Sequence, residues 1–129
     1  MEEVINPLSN NAIKNILQTA QALIGRSTIA LEREFPRSRR KHADSNSYFI
    51  KYKDSSIIWI PNIFNVCDMS LVQFHHLIDV QSCCKLCNNT METLKPNLWI
   101  DEDTIIQCYT EASGQNNFLI GWKYSCLLR

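Results

Sequence analysis

Glycine is scarce. The chain has three glycines among 129 residues, too few for the glycine-rich loops that cradle nucleotide phosphates. Charge of one sign is also missing. Thirteen basic and thirteen acidic side chains leave a formal net charge of zero. No global field then draws the molecule to nucleic acid or to an anionic surface, and any such attraction must come from a local patch. Long apolar runs are absent as well, so no membrane span is expected. The start, Met1-Glu2-Glu3-Val4, has no apolar core of a secretory signal. An intracellular location, cytoplasmic or nuclear, is the resulting expectation. On that reading the six cysteines are reduced thiols rather than a disulfide framework. No nucleophile elbow, paired metal-binding carboxylate pattern or known cysteine-nucleophile signature is present, so a non-catalytic protein is expected.

What is present is a globular composition, 45% hydrophobic and 20% charged, in a chain of single-domain length. The strongest pattern lies at the C-terminal end. Thr104–Thr110 and Phe118–Cys126 alternate with period two, and a polar segment containing Gly114 joins them. This predicts an antiparallel hairpin with Phe118, Ile120, Trp122 and Tyr124 on one face. Leu98-Trp99-Ile100 adds a third strand through the acidic turn Asp101-Glu102-Asp103.

Upstream, Ile13, Ile16, Leu17, Ala20 and Leu23 repeat at helical spacing. Ser9 or Asn10 can cap this helix and Gly25 can stop it. Ser27–Phe35 fits a strand or a helix, and Pro36 ends either. Residues 36–46 read as an exposed basic loop. Tyr48–Lys53 and Ile57–Ile60 read as a hairpin, the second run buried on both faces. A second helix is expected from Asp68 or Ser70, burying Leu71, Phe74, Leu77 and Ile78. The expected fold is one α+β domain over residues 1–129, with an N-terminal helix, a β-hairpin, a second helix and a C-terminal antiparallel three-strand meander.

Several constellations bear on function. Arg37, Arg39, Arg40, Lys41 and His42 crowd together, followed by Lys51 and Lys53 beside Tyr48 and Tyr52. A solvated loop, an import signal, a protein-binding edge and a nucleic-acid site are all open here. In the last, arginines would contact phosphates and Tyr48 or Tyr52 would stack on bases. The helix face of Ile13, Ile16, Leu17 and Ala20 either docks on the sheet or takes a partner, including a second copy of the chain.

Cys84-Lys85-Leu86-Cys87 has the spacing of half a zinc site. A local set of Cys67, His75 or His76, Cys84 and Cys87 could complete it. Cys108 and Cys126 are poor partners for one ion. If the hairpin turns at Gly114, Cys108 lies opposite residue 120, and Cys126 is ~20 Å further along. The competing reading is that Cys83, Cys84 and Cys87 cover the core, with no cofactor at all. A thiolate at Cys84 activated by His75 or His76, oriented by Asp79, is the enzymatic alternative. The expectation carried forward is an interaction module with a protein partner. Nucleic-acid binding is the second reading, and a Cys/His enzyme the third.

Overall fold

A computed structural model of the chain describes residues 7–40 and 47–122, with the backbone alone at 39 and 40. The first helix, α1, spans Asn10–Leu23. The Ser9 side chain accepts the Ala12 N–H at 3.1 Å, satisfying one free donor of the first turn. The apolar stripe Ile13, Ile16, Leu17, Ala20 and Leu23 is buried along its length. Beyond Ile24 the chain turns out through Gly25 at a φ of +88°. The ambiguous segment that follows is helical over Thr28–Glu34 (α2), capped by Ser27. Its one fully buried side chain is Leu31.

The strands are β1 (Arg39–Arg40), β2 (Tyr48–Lys51), β3 (Ser55–Pro61), β4 (Cys67–Phe74), β5 (Glu92–Lys95), β6 (Leu98–Asp101), β7 (Thr104–Thr110) and β8 (Asn116–Trp122). A third helix, α3, spans Leu77–Thr90 between β4 and β5. All eight strands form one antiparallel sheet in the order β1-β2-β3-β4-β8-β7-β6-β5. It consists of two meanders, β1–β4 and β5–β8, joined where β4 pairs with β8. The α+β class, the leading helix, the hairpin β2–β3 and the C-terminal meander as far as Trp122 are as the sequence predicts, and Tyr124 of the predicted last strand lies outside the described residues. The meander gains a fourth strand, β5, at its outer edge.

One assignment is corrected. Cys67–Phe74 is a strand, and the helix starts at Leu77. The spacing of Leu71, Phe74, Leu77 and Ile78 imitates a helical stripe. In fact Phe74 is buried on the sheet, whereas Leu77 is 61% exposed. Alternation along β4 is hidden because both faces carry apolar groups and one inward position is Ser70. That hydroxyl is buried and donates to the Ala20 carbonyl of α1 at 2.9 Å, which removes the cost of burying it.

Residues paired across an antiparallel ladder point to the same face. One face therefore carries Tyr48, Trp59, Val72, Phe118, Ile120, Ile106 and Trp99. Each helix is tied to this face. Gln21 of α1 donates to Asp101 and Thr104, Tyr48 donates to Glu32 of α2, and Trp99 donates to Asn88 of α3. The other face carries the lateral row Phe49, Ile58, Leu71, Leu119, Gln107, Leu98. The five apolar members of that row are half-buried, and no helix of the described residues is tied to that side. This corrects the expectation for Ile57–Ile60. Ile57 and Trp59 are buried, while Ile60 is 49% exposed.

Candidate functional site

The basic segment meets the sheet at its β1–β2 edge. Arg39 and Arg40 form β1 and pair with Phe49 and Tyr48. Lys41 and His42 lie outside the described residues. Pro36 and Arg37 are exposed just after α2, and Lys51 ends β2 on the helix-free face. Between them opens a cavity of about 530 Å³, lined by Glu34, Phe35, Pro36, Arg37, Ser38, Phe49, Ile50 and Lys51. Its walls are apolar, from Phe35, Pro36, Phe49 and Ile50. The Glu34 carboxylate is engaged by Arg26. Among the described residues Arg37 and Lys51 have no ion-pair partner. The cavity therefore joins an apolar interior to a rim where, among the described residues, Arg37 and Lys51 make no ion pair. Lys53 is exposed in the turn after β2, and Tyr52 is half-buried against the core.

The aromatic residues next to this edge mostly face inward. Tyr48 is 7% exposed and stacks on the fully buried Trp59. It offers no open ring face for a base, so the stacking role considered for Tyr48 does not fit its position. The helix face of Ile13, Ile16, Leu17 and Ala20 is likewise consumed inside the molecule. It packs in one core with Val72, Val80, Cys83 and Ile120, leaving no stripe for a partner helix or a second copy of the chain.

The metal set considered from sequence is dispersed. Cys67 and His75 stand at opposite ends of β4, and eight residues of strand span ~26 Å. Ions ligated at ~2.3 Å cannot bridge that gap. Among the described residues no group of three or more histidine, cysteine, aspartate or glutamate side chains could hold a metal ion. Nor can His75 or His76 serve Cys84. Both precede α3, and the eight residues from His76 to Cys84 rise ~12 Å along it. His76 instead lies 3.4 Å from Asp54.

What the fold does assemble is a thiol cluster that the spacing of one motif could not reveal. Cys83 and Cys87, one turn apart on the same side of α3, are both fully buried. Cys84, on the flank of the same helix, is half-buried, as is Cys108 of β7, whose influence it feels electrostatically. Cys108 lies opposite Phe118, on the sheet face that meets the helices. Cys108 lowers the Cys84 thiol, against the opposing effect of burial. Cys84, and then burial, raises Cys108. Cys83 is raised by Cys87 and by burial. Burial pushes Cys67, alone at the start of β4, up to about 12. Cys126 lies outside the described residues.

A third feature is an apolar tip. In the turn between β3 and β4, Ile63 is 90% and Phe64 76% exposed. Asn62 fixes this turn by accepting the N–H groups of Phe64 and Val66. Thr28 bonds to the Asn65 carbonyl through its N–H and its hydroxyl, which brings the exposed Ile29 of α2 beside the turn.

No family model, curated protein or solved structure matches this chain.

Proposed function

We propose that the protein is a non-catalytic interaction module that takes a segment of a partner protein at the β1–β2 edge of its sheet. The observation that carries this reading is the cavity between Pro36 and Phe49, apolar inside and bounded by Arg37 and Lys51, which form no ion pair among the described residues. Such a site is complementary to a segment bearing a large apolar side chain next to a carboxylate. The apolar group supplies the buried anchor, and the charge supplies orientation and encounter rate. The helix-free sheet face continues from the cavity through Phe49 to Ile58 and Leu71, which extends the surface available to a partner. Two-layer folds leave one sheet face for such contacts.

The test is cross-linking from the native host, with wild type compared with Arg37→Glu/Lys51→Glu. Lys14→Glu on the exposed side of α1 serves as the control. The reading expects a protein whose cross-links map to residues 35–51, whose contacting segment is acidic, and whose capture fails with the charge reversal alone. Retention of that protein by Arg37→Glu/Lys51→Glu overturns it. So does its loss on Phe64→Asp in place of the edge variant, which would move the contact to the apolar tip. Recovery of nucleic acid with no protein, lost on the same charge reversal, would replace it with the second reading from sequence.

A further inference from the structure

Ser38 is the one hydroxyl among the side chains that line the edge cavity, together with Arg37 and Lys51. In the chain it stands directly between Arg37 and Arg39, and Arg40 follows. No other serine or threonine has a basic neighbour on each side. We propose that Ser38 is a phosphorylation site for a serine/threonine kinase that selects arginine-flanked hydroxyls, and that its phosphate closes the edge site to acidic segments.

The local backbone suits the modification. α2 ends at Glu34, and Pro36 cannot continue it. Ser38 therefore lies in a turn between α2 and the two-residue strand β1, with Pro36 and Arg37 exposed before it. Its hydroxyl is half-buried and donates to the Phe35 carbonyl at 2.7 Å. That carbonyl also accepts the Ser38 N–H at 3.0 Å. Swinging the hydroxyl outward thus leaves the carbonyl with a partner. Other hydroxyls are less available. Ser47, Ser55, Ser70 and Thr104 are buried, and Ser9 and Ser27 cap helices. The arginines of the segment are complementary to a kinase groove lined by carboxylates, which guanidinium groups pair with in two-pronged fashion.

In the transfer, the Ser38 Oγ attacks the γ-phosphorus of ATP. The bond from that phosphorus to the β–γ bridging oxygen breaks and ADP leaves. The hydroxyl proton passes to a carboxylate of the kinase. The product carries about 1.5 to 2 negative charges near neutral pH and three acceptor oxygens. It stands on the wall of a cavity whose cations, Arg37 and Lys51, form no ion pair among the described residues. The phosphate supplies there the anion that a partner carboxylate would otherwise bring. This control of binding rests on the function proposed for the edge, whereas the modification itself does not.

The experiment incubates the folded protein with ATP, magnesium and an arginine-directed serine/threonine kinase, and maps phosphate by peptide mass. Ser38 should be the dominant site, and Ser38→Ala should take up little phosphate. Peptides are then selected from a random displayed library on the unmodified protein. Their affinities are measured for unmodified protein, phosphorylated protein and Arg37→Glu/Lys51→Glu. Phosphorylation should weaken binding at least about tenfold, as the charge reversal does. Phosphate mainly at another residue, or none on wild type, would overturn the proposal. So would affinity that survives phosphorylation but falls on charge reversal. Affinity unchanged by both would refute the binding site and its control by phosphate together, with the phosphate map still deciding the modification. Circular dichroism of Ser38→Ala guards against misfolding, and the wild-type map decides the site even if that variant fails to fold.

Discussion

Tyr48 lies flat on Trp59, with ring centroids 5.3 Å apart and planes 10° from parallel, and its hydroxyl donates to Glu32 at 2.7 Å. One side chain thus joins β2, β3 and α2. Tyr48→Ala should cost about 3 kcal/mol of stability in urea unfolding, through lost burial and stacking. Tyr48→Phe should cost about 1 kcal/mol or less, because the acceptor is on an exposed residue. A Tyr48→Ala variant of undiminished stability would show that the stack does not hold the edge in place.

The stripe of α1 makes a second prediction. Leu17 is 1% exposed within the common core. Leu17→Ala should lower stability by about 2–5 kcal/mol with no change in solution mass. A fall in oligomer mass at unaltered stability would return that face to the role of an association surface.

Much of this architecture was legible in the residues. The spacing of Ile13, Ile16, Leu17 and Ala20 reports a buried stripe directly, and the alternation through Phe118 and Ile120 reports a strand. The β4 strand was not legible, because Leu71 and Met69 make its outer face as apolar as its inner one. Register was nearly legible. A turn placed at Gly114 sets Cys108 opposite Ile120, whereas the loop centres one residue earlier and the partner is Phe118. The influence of Cys108 on Cys84 was out of reach, because it depends on how α3 lies against the sheet. The edge cavity was half legible. The cations stand out in sequence, but the wall of Phe35, Pro36, Phe49 and Ile50 requires the fold.

Gly25 and Trp122 offer a third check. Gly25 has a φ of +88°, and a Cβ there would come 2.8 Å from the Trp122 ring. Gly25→Ala should cost about 1–2 kcal/mol from the backbone alone, with more from displacing the indole. Trp122 fluorescence should shift in the same variant. A neutral Gly25→Ala would mean that the exit from α1 takes another path.

Thiol reactivity should depend on pH differently at each cysteine. The thiolate is the reactive form, so a lowered thiol reacts at lower pH and a raised one at higher pH. Cys84, lowered by Cys108 against the opposing effect of burial, should be alkylated by iodoacetamide on a profile rising below the ordinary thiol range of about 8.5. Cys67, pushed up to about 12 by burial, should stay unreacted in the folded protein across neutral pH. Cys108→Ala should move the Cys84 profile upward, since it removes that influence. Equal rates at Cys84 and Cys67 would contradict the environments described.

In the proposed function, Arg37 and Lys51 frame an apolar slot for an acidic partner segment. Selection of peptides from a random displayed library on the immobilised protein tests it most directly, followed by affinity measurement on wild type and Arg37→Glu/Lys51→Glu. The selected peptides should place a large apolar residue beside Asp or Glu and lose at least about tenfold in affinity, about 1.4 kcal/mol, on charge reversal. Selected peptides without acidic residues, or binding that survives the reversal unchanged, would contradict it.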